Sequence, residues 1–427
     1  MTERLARGIA LTTALALPFA LVAVIVHFAV EVPYWDEWEW ANLVFRSHTG
    51  TLSFGDLWAQ HNEHRIFLDN LAAVALDRLG GWSVVREQCF SAVMVVLTQL
   101  VVWRIVRRTV AADVAPLAFL CASLVLYDLS QYENFSWGFQ MAWFMCNLGV
   151  VVVVWFLSDP PDQARPILVP VIAAALASVA SSQGLVAWPV GIVALLLARR
   201  GTATVVAWTV CGLVVGLVAR SGIQPLASGH VSILHNLPQL ALYALTYLGT
   251  PLGRAGGIGW CAAAGALALA AAAVSFVADL RAPDRRERLA RRAPWYALAS
   301  YAIACALVTG PARLGFGLVE AIASRYSSIA GFLDIAVIGL AATYLDGLRV
   351  HRRALALAGT LAVAVAIGAS SLNGYVLWRH YASDRRADVA ALRSGDAAAA
   401  HDLYPDANAL AMFEKQMHAI GDGVFYR

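Results

Sequence analysis

Charged residues are scarce in this chain of 427 residues: Asp, Glu, Lys and Arg make up only 14% of it. Soluble domains carry roughly a quarter. Hydrophobic residues make up 60%, and the mean hydropathy is +0.65. These values exclude an ordinary soluble domain, and the small net charge of +3 gives no support for nucleic-acid binding. The composition predicts an all-α polytopic membrane protein.

The sequence also lacks the marks of several functional classes. Its six cysteines are scattered through apolar runs, which suggests neither a disulfide framework nor a thiolate metal site. No glycine-rich loop joins a strand to a helix, so a nucleotide-driven mechanism is not expected. No internal repeat and no pair of half-helices at matching positions stands out, which weakens the case for a secondary transporter.

Apolar runs divide the chain into about eleven predicted spans, since crossing a bilayer takes about 17 to 25 apolar residues. They are placed near residues 9–31, 83–103, 112–127, 139–157, 167–181, 184–198, 203–220, 258–278, 294–309, 327–345 and 354–371. The first run has no small-residue cleavage site and is predicted to be a retained anchor. Arginine clusters at alternate ends of the runs place the N-terminus in the cytoplasm by the positive-inside rule.

This topology puts most of the unusual polar residues on the outer face of the membrane. Residues 32–82 form what we call the first outer loop, and an odd number of spans leaves the C-terminus outside as well. We divide the chain into a transmembrane module, 1–371, and a short outer C-terminal tail, 372–427. The excess of Arg, Ala and Val over Lys indicates a high-GC bacterium, and therefore its cytoplasmic (inner) membrane.

Two outer segments have the pattern of helices that lie in the membrane interface. They are residues 66–79 and 237–248, in which polar side chains are set among apolar ones. The alternative for 66–79 is that it begins a tilted second span.

An acidic and aromatic cluster, residues 33–40, follows the first span directly. Carboxylates so close to hydrocarbon are costly, and they are functional candidates for that reason. We therefore predict that Asp36 and Glu37 are functional residues. Tyr34 and Trp35 are candidates to line a substrate site, although the interfacial aromatic belt is a sufficient explanation for such residues at this depth.

An outer acidic pair after the first span, a loop with a surface helix, many further spans and arginines in late outer loops resemble the GT-C superfamily of integral-membrane glycosyltransferases. The resemblance covers the architecture of the first three quarters of the chain, and its diagnostic element is only two acidic residues. It implies polyprenyl-phosphate sugars as donors, Asp36 as the catalytic base and Glu37 as the neighbouring carboxylate. The tail has no large outer domain, so the resemblance implies nothing about acceptor recognition.

Such a transfer needs a base for the acceptor hydroxyl and a cationic site for the phosphate leaving group. A single displacement inverts the anomeric centre and uses one carboxylate. We expect an inverting glycosyltransferase that moves a sugar to an envelope glycan or lipid. Two alternatives stay open, namely a polysaccharide polymerase or ligase with a diphosphate-linked lipid donor, and a lipid-glycan transporter or flippase.

The polar segment 61–65 lies in the same loop as the acidic cluster. Glu63, with His61 or His64 and Asp36, is one candidate set for a divalent cation. Arg65 is a candidate phosphate ligand, and a plain solvated loop is the third interpretation. We predict that Glu63, His64 and Arg65 line the site. A divalent cation is a possible cofactor, with Asp36, Glu63 and His64 as candidate ligands.

Arginines in the late outer loops oppose the positive-inside trend and need another reason. A planar guanidinium there suits bidentate phosphate binding. Arg325 is the first candidate for the donor phosphate, followed by Arg313 and Arg254; the alternatives are snorkelling to lipid headgroups and an ion pair with Glu320. The other predicted lining residues are Glu320, Tyr326, Glu133, Asn134, Trp137 and Gln140. For the last four, polar packing between helices is an equally good explanation.

Overall fold

A computed structural model describes residues 3–224, 230–345, 352–394 and 402–421. Within these ranges the chain is overwhelmingly helical, and the only sheet is one antiparallel pair, β1 (Gln60–His61) with β2 (His64–Arg65). The all-α, polytopic fold class is therefore confirmed.

The described residues contain eighteen α-helices. In chain order they are α1 (Glu3–Phe28), α2 (Glu39–His48), α3 (Phe54–Leu57), α4 (Phe67–Arg78), α5 (Val84–Thr109), α6 (Ala115–Leu126), α7 (Tyr132–Ser136), α8 (Met141–Leu157), α9 (Leu168–Ser178), α10 (Ala187–Leu197), α11 (Thr202–Arg220), α12 (Leu237–Leu248), α13 (Thr250–Gly253), α14 (Gly257–Arg281), α15 (Arg285–Arg313), α16 (Ser327–Tyr344), α17 (Arg352–Arg393) and α18 (Ala407–Ala419).

Each of the eleven predicted spans falls on a helix. Among the described residues, eight helical segments are long and apolar enough to cross a membrane, and they contain α1, α5, α8, α11, α14, α15, α16 and α17. The helices α6, α9 and α10 have 12, 11 and 11 residues, short of the roughly 20 that a spanning helix needs. The protein is thus a multi-pass membrane protein, and the total of eleven spans stays a prediction.

Both predicted interfacial segments are separate helices. The helix α4 ends before α5 begins, because residues 79–83 turn and the Ser83 hydroxyl accepts a hydrogen bond from the Arg86 N–H at 3.3 Å, which caps the new helix. The helix α12 packs closely on α14 and α15, and its Tyr243 and Tyr247 are fully buried.

The end of the bundle predicted to face the cytoplasm is tied by a buried ion pair. Arg292 of α15 donates to Asp279 of α14. The hydroxyls of Tyr296 and Tyr344 also donate to the Asp279 carboxylate, at 2.6 and 2.9 Å. Because all of these groups satisfy one another, the three helices α14, α15 and α16 are joined at one point.

A second core lies beside the main core of the helix bundle. It joins the first outer loop to the C-terminal tail through fully or nearly fully buried side chains, among them Trp38, Trp40, Leu403, Phe413 and Met417. Residue 371, the predicted boundary of the tail, lies inside the continuous helix α17, and α18 packs on α2. The tail is therefore integrated into the structure around the first outer loop.

Candidate functional site

Asp36 lies in a single helical turn, Trp35–Trp38, between α1 and α2. The turn is closed at Tyr34, whose N–H donates to the Glu37 carboxylate at 3.0 Å and whose carbonyl accepts from the Glu37 N–H at 3.1 Å. Trp35 has a φ of +46°, and its N–H donates to the Leu403 carbonyl at 2.7 Å. A left-handed conformation at a bulky residue costs about 1–3 kcal/mol, so the surrounding contacts hold this turn in a strained shape.

His61 connects two carboxylates of this region. Its Nε2 lies 3.4 Å from Asp36 Oδ2, and its Nδ1 lies 3.1 Å from Glu39 Oε2. Burial lowers the pKa of His61, but the hydrogen bonds and charges of Asp36 and Glu39 outweigh it and raise that pKa to about 9. The imidazole is therefore a cation at neutral pH, and it compensates the charge of the Asp36 side chain, which is 29% exposed.

Glu37, the neighbour of Asp36, is in a different environment. It is fully buried, and it meets the Glu87 carboxyl of α5 across Gly138: a Cβ at Gly138 would lie 2.4 Å from Glu37 Oε1 and 2.5 Å from Glu87 Oε2. Burial raises the pKa of Glu37 to about 7, against the lowering effect of its hydrogen bonds with Glu87 and Tyr34. The buried contact between Glu37 and Glu87 anchors the Asp36 turn on the start of α5.

The segment 61–65 forms the tip of the β1–β2 hairpin. Glu63 pairs with Arg313 at 3.2 Å, which joins the first outer loop to the end of α15. Burial, with the charges of His61 and Arg313, lowers the pKa of His64 to about 3, so His64 is neutral. Arg65 donates to the carbonyls of Trp58 and Ser221 at 2.5 and 2.6 Å, which leaves its guanidinium engaged in holding the loop.

Arg325, the first candidate for a phosphate ligand, forms an ion pair with Glu320. The Arg325 backbone also anchors the neighbouring polar group, because its N–H donates to Glu133 at 3.3 Å and its carbonyl accepts from Asn134 at 3.0 Å. The Tyr326 hydroxyl donates to Glu320 at 3.3 Å. These predicted residues are therefore brought together, but Arg325 already has an anionic partner.

Arg254 differs from the other candidate arginines. Its guanidinium lies over the Tyr132 ring at 5.4 Å, and its Nη1 is buried without a hydrogen-bond partner in the described part of the chain. A buried guanidinium nitrogen with no acceptor is costly. The Arg65 Nε is also buried without a partner, but both Nη atoms of Arg65 already donate to backbone carbonyls. Arg254 is therefore the candidate whose guanidinium is more available to an anion.

Aromatic side chains connect this region to the Asp36 turn. The Trp137 Nε1 donates to the Tyr34 carbonyl at 2.9 Å, and the two rings are 5.2 Å apart. The ring of Tyr381 in α17 contacts the rings of both Tyr34 and Tyr132, with centroid distances of 5.6 and 6.1 Å. Gln140 is buried, and its Oε1 has no partner among the described residues.

Several residues of this region were not predicted as site residues. Glu39 contacts His61, which was predicted only as an alternative metal ligand, and Arg385 of α17 lies 4.0 Å from the Tyr34 ring. The spacing of Asp36 and Glu39 is a usable sequence signal, since residues three apart in a helical turn lie on the same face. No local pattern points to Arg385, because its contact is made across the whole fold.

The described residues contain no group of three His, Cys, Asp or Glu side chains placed to share a metal ion. His61 directs its two nitrogens to two different carboxylates, and Glu63 faces Arg313. The divalent cation therefore stays a prediction, and the described residues give no ligand geometry that supports it.

No protein-family model, no curated protein and no solved structure matches this chain.

Proposed function

We propose that the protein is an inverting glycosyltransferase of the GT-C type. It transfers a sugar from a polyprenyl-phosphate donor to an envelope glycan or lipid at the outer face of the bacterial cytoplasmic membrane. The observation that carries the proposal is the state of Asp36, a partly exposed carboxylate in the loop after α1 that is held in a strained turn and lies beside a protonated His61.

Asp36 has the properties of a general base for an acceptor hydroxyl. Its Oδ2 faces His61, whereas Oδ1 makes no hydrogen bond to the described part of the chain. In the reaction the acceptor oxygen forms a bond to the anomeric carbon as the bond from that carbon to the phosphate oxygen breaks. The hydroxyl proton goes to Asp36, and the electron pair of the broken bond leaves with the polyprenyl phosphate.

Arg254 is the best candidate to stabilise that leaving phosphate. Its buried Nη1 has no acceptor in the described chain. Its neighbour Tyr132 contacts Tyr381, which in turn contacts Tyr34 at the Asp36 turn. A guanidinium is suited to phosphate because its donors match two phosphate oxygens. Arg325 and Arg313 would first have to leave Glu320 and Glu63.

The proposal is tested by measuring transfer of radiolabelled sugar from a panel of polyprenyl-monophosphate and diphosphate donors to a membrane-extract acceptor. We expect transfer from a monophosphate donor, and a loss of about 10²–10⁴-fold in Asp36→Asn with donor binding retained, as for removal of a general base. Asp284→Asn, at an exposed carboxylate paired with Arg288, is the matched control.

Other outcomes point to other functions. Normal transfer by Asp36→Asn removes Asp36 as the base. Transfer only from a diphosphate-linked donor identifies a polymerase or ligase, and movement of a lipid-linked glycan across vesicles without bond formation identifies a transporter.

A further inference from the structure

A cavity of about 260 Å³ lies between the first outer loop and α18 of the C-terminal tail. Glu39, Trp40 and His61 line one side of it. Phe413 of α18 and Phe139 also line it. The first outer loop supplies most of the lining, and the tail contributes Phe413.

This cavity adjoins the candidate base. The His61 ring that lines it is the ring whose Nε2 lies 3.4 Å from Asp36 Oδ2. Glu39, on the cavity side, and Asp36 are thus separated by the width of one imidazole. Asp36 does not line the cavity itself, and the His61 ring is what connects the two.

The walls of the cavity are fixed by hydrogen bonds within the protein. Trp40 Nε1 donates to Asn70 Oδ1 at 3.1 Å, and Gln416 of α18 donates to Asn42 Oδ1 at 3.3 Å. The Glu39 side chain is 46% exposed and uses one oxygen for His61. Its other oxygen is available to accept hydrogen bonds from a ligand.

The charged groups of the cavity give no free cation to an anionic ligand. The protonated His61 is shared by Glu39 and Asp36, and Arg46 pairs with the Asp56 carboxylate at 3.1 Å. A phosphate therefore finds no unmatched partner there. Aromatic rings beside hydrogen-bond acceptors suit a neutral ligand with one apolar face and several hydroxyls.

We propose that this cavity is the acceptor subsite and that it holds one neutral sugar ring. The inference rests on the proposed transferase function. The volume of about 260 Å³ lies just below the usual range for ligand sites, about 300–1,000 Å³, and it limits the occupant to a single ring. Phe139 and Phe413 cover the C–H face of the sugar, and Glu39 accepts from its hydroxyls. The tail thereby determines which acceptor is used.

The test uses the full-length protein in a detergent without a sugar headgroup, because a glycoside detergent would compete for the cavity. The probes are methyl glycosides of hexopyranoses and pentofuranoses, and binding is followed by saturation-transfer difference NMR. We expect at least one of them to bind with a Kd in the millimolar range, which corresponds to about −4 kcal/mol.

Ala59 gives the variant that separates the cavity from the rest of the fold. It lines the cavity but is exposed, so Ala59→Phe obstructs the entrance without disturbing the core. The matched control is Ala411→Phe, at an exposed position of α18 outside the cavity. We expect Ala59→Phe to weaken glycoside binding at least tenfold and the control to leave it unchanged. Equal binding by both variants, or no binding to the unmodified protein, overturns the inference.

Transfer assays distinguish failure of the subsite from failure of the function. Glu39→Gln is expected to raise the KM for the acceptor at least tenfold and to leave the KM for the lipid donor unchanged. If the protein transfers sugar but Ala59→Phe has an unaltered acceptor KM, the subsite is wrong and the transferase stands. If glycosides bind in the cavity but no donor supports transfer, the transferase and the acceptor role are both wrong.

Discussion

The ion-pair arrangement of His61 predicts a pH dependence of stability that can be worked out from the structure. His61 is nearly buried between Asp36 and Glu39, and its pKa is about 9 in place of the ordinary 6.5. The folded protein therefore binds this proton more tightly than the unfolded chain does. The stabilisation that the protonated His61 contributes is fully present below pH 6.5 and is lost as the pH rises through 9.

The size of this contribution follows from the pKa difference. Each pKa unit corresponds to about 1.4 kcal/mol, which sets an upper value of about 3 kcal/mol. The side chains of Asp36 and Glu39 are 29% and 46% exposed, so solvent screens part of the interaction. We therefore expect a contribution of about 1–2 kcal/mol.

The assay compares denaturant unfolding of the unmodified protein and His61→Gln in mixed micelles between pH 6 and 10. The free energy of unfolding of the variant is expected to be lower by about 1–2 kcal/mol at pH 6, and this difference should disappear toward pH 10. His235→Gln, at an exposed histidine, is the control. A difference between the unmodified protein and His61→Gln that is constant across this range refutes the ion-pair account.

Three further substitutions test other parts of the structure. Gly138→Ala places a Cβ 2.4 Å from one buried carboxyl oxygen and 2.5 Å from another, so it should lower the free energy of unfolding by about 1–3 kcal/mol; Gly368→Ala, with nothing within 4 Å, is its control in thermal unfolding. Arg254→Gln should raise the donor KM about 10–100-fold, the value of a charged hydrogen bond, and an unchanged KM contradicts its role. Asp279→Asn leaves Arg292 buried and unpaired and should cost about 3–5 kcal/mol. Adding Arg292→Met should recover most of that loss in the same unfolding assay. If the double variant is no more stable than Asp279→Asn, an unpaired Arg292 is not the cause of the loss.

The helices of this protein were predictable because long apolar runs in a membrane protein have few alternatives to helix. The start of α5 after a turn at 79–83 also has a local sequence signal, because Ser83 caps the helix. The lengths of the short helices α6, α9 and α10 were not predictable in the same way. Their apolar runs continue past the helix ends, where the chain turns and packs on neighbouring helices.

The acidic pair shows where sequence reasoning about the site stops. Asp36 and Glu37 are adjacent and were both assigned to catalysis, yet the turn points one to a partly exposed surface and buries the other against Glu87. Adjacent residues in a helical turn face different directions. Whether Asp36 or Glu37 is the buried one depends on the packing of the turn against α5 and Gly138, which lie far along the chain.

The partners of the polar residues were the least predictable feature. The sequence predicted that Glu63, His64 and Arg65 line a site, but His61 is the residue of this segment that meets Asp36, while Arg65 donates to backbone carbonyls. Pairing over long sequence distances has no local signal. The same is true of Arg313 with Glu63 and of Leu403 with Trp35.

The hydrogen bond between Trp35 and Leu403 bears on how the protein is made. These residues lie near opposite ends of the chain, and synthesis proceeds at about 5–20 residues per second. The Asp36 loop is therefore synthesised at least about 20 s before the segment that fixes its strained turn. During this interval the Trp35 N–H lacks the Leu403 carbonyl as its acceptor, and a chain that ends before residue 402 never acquires it.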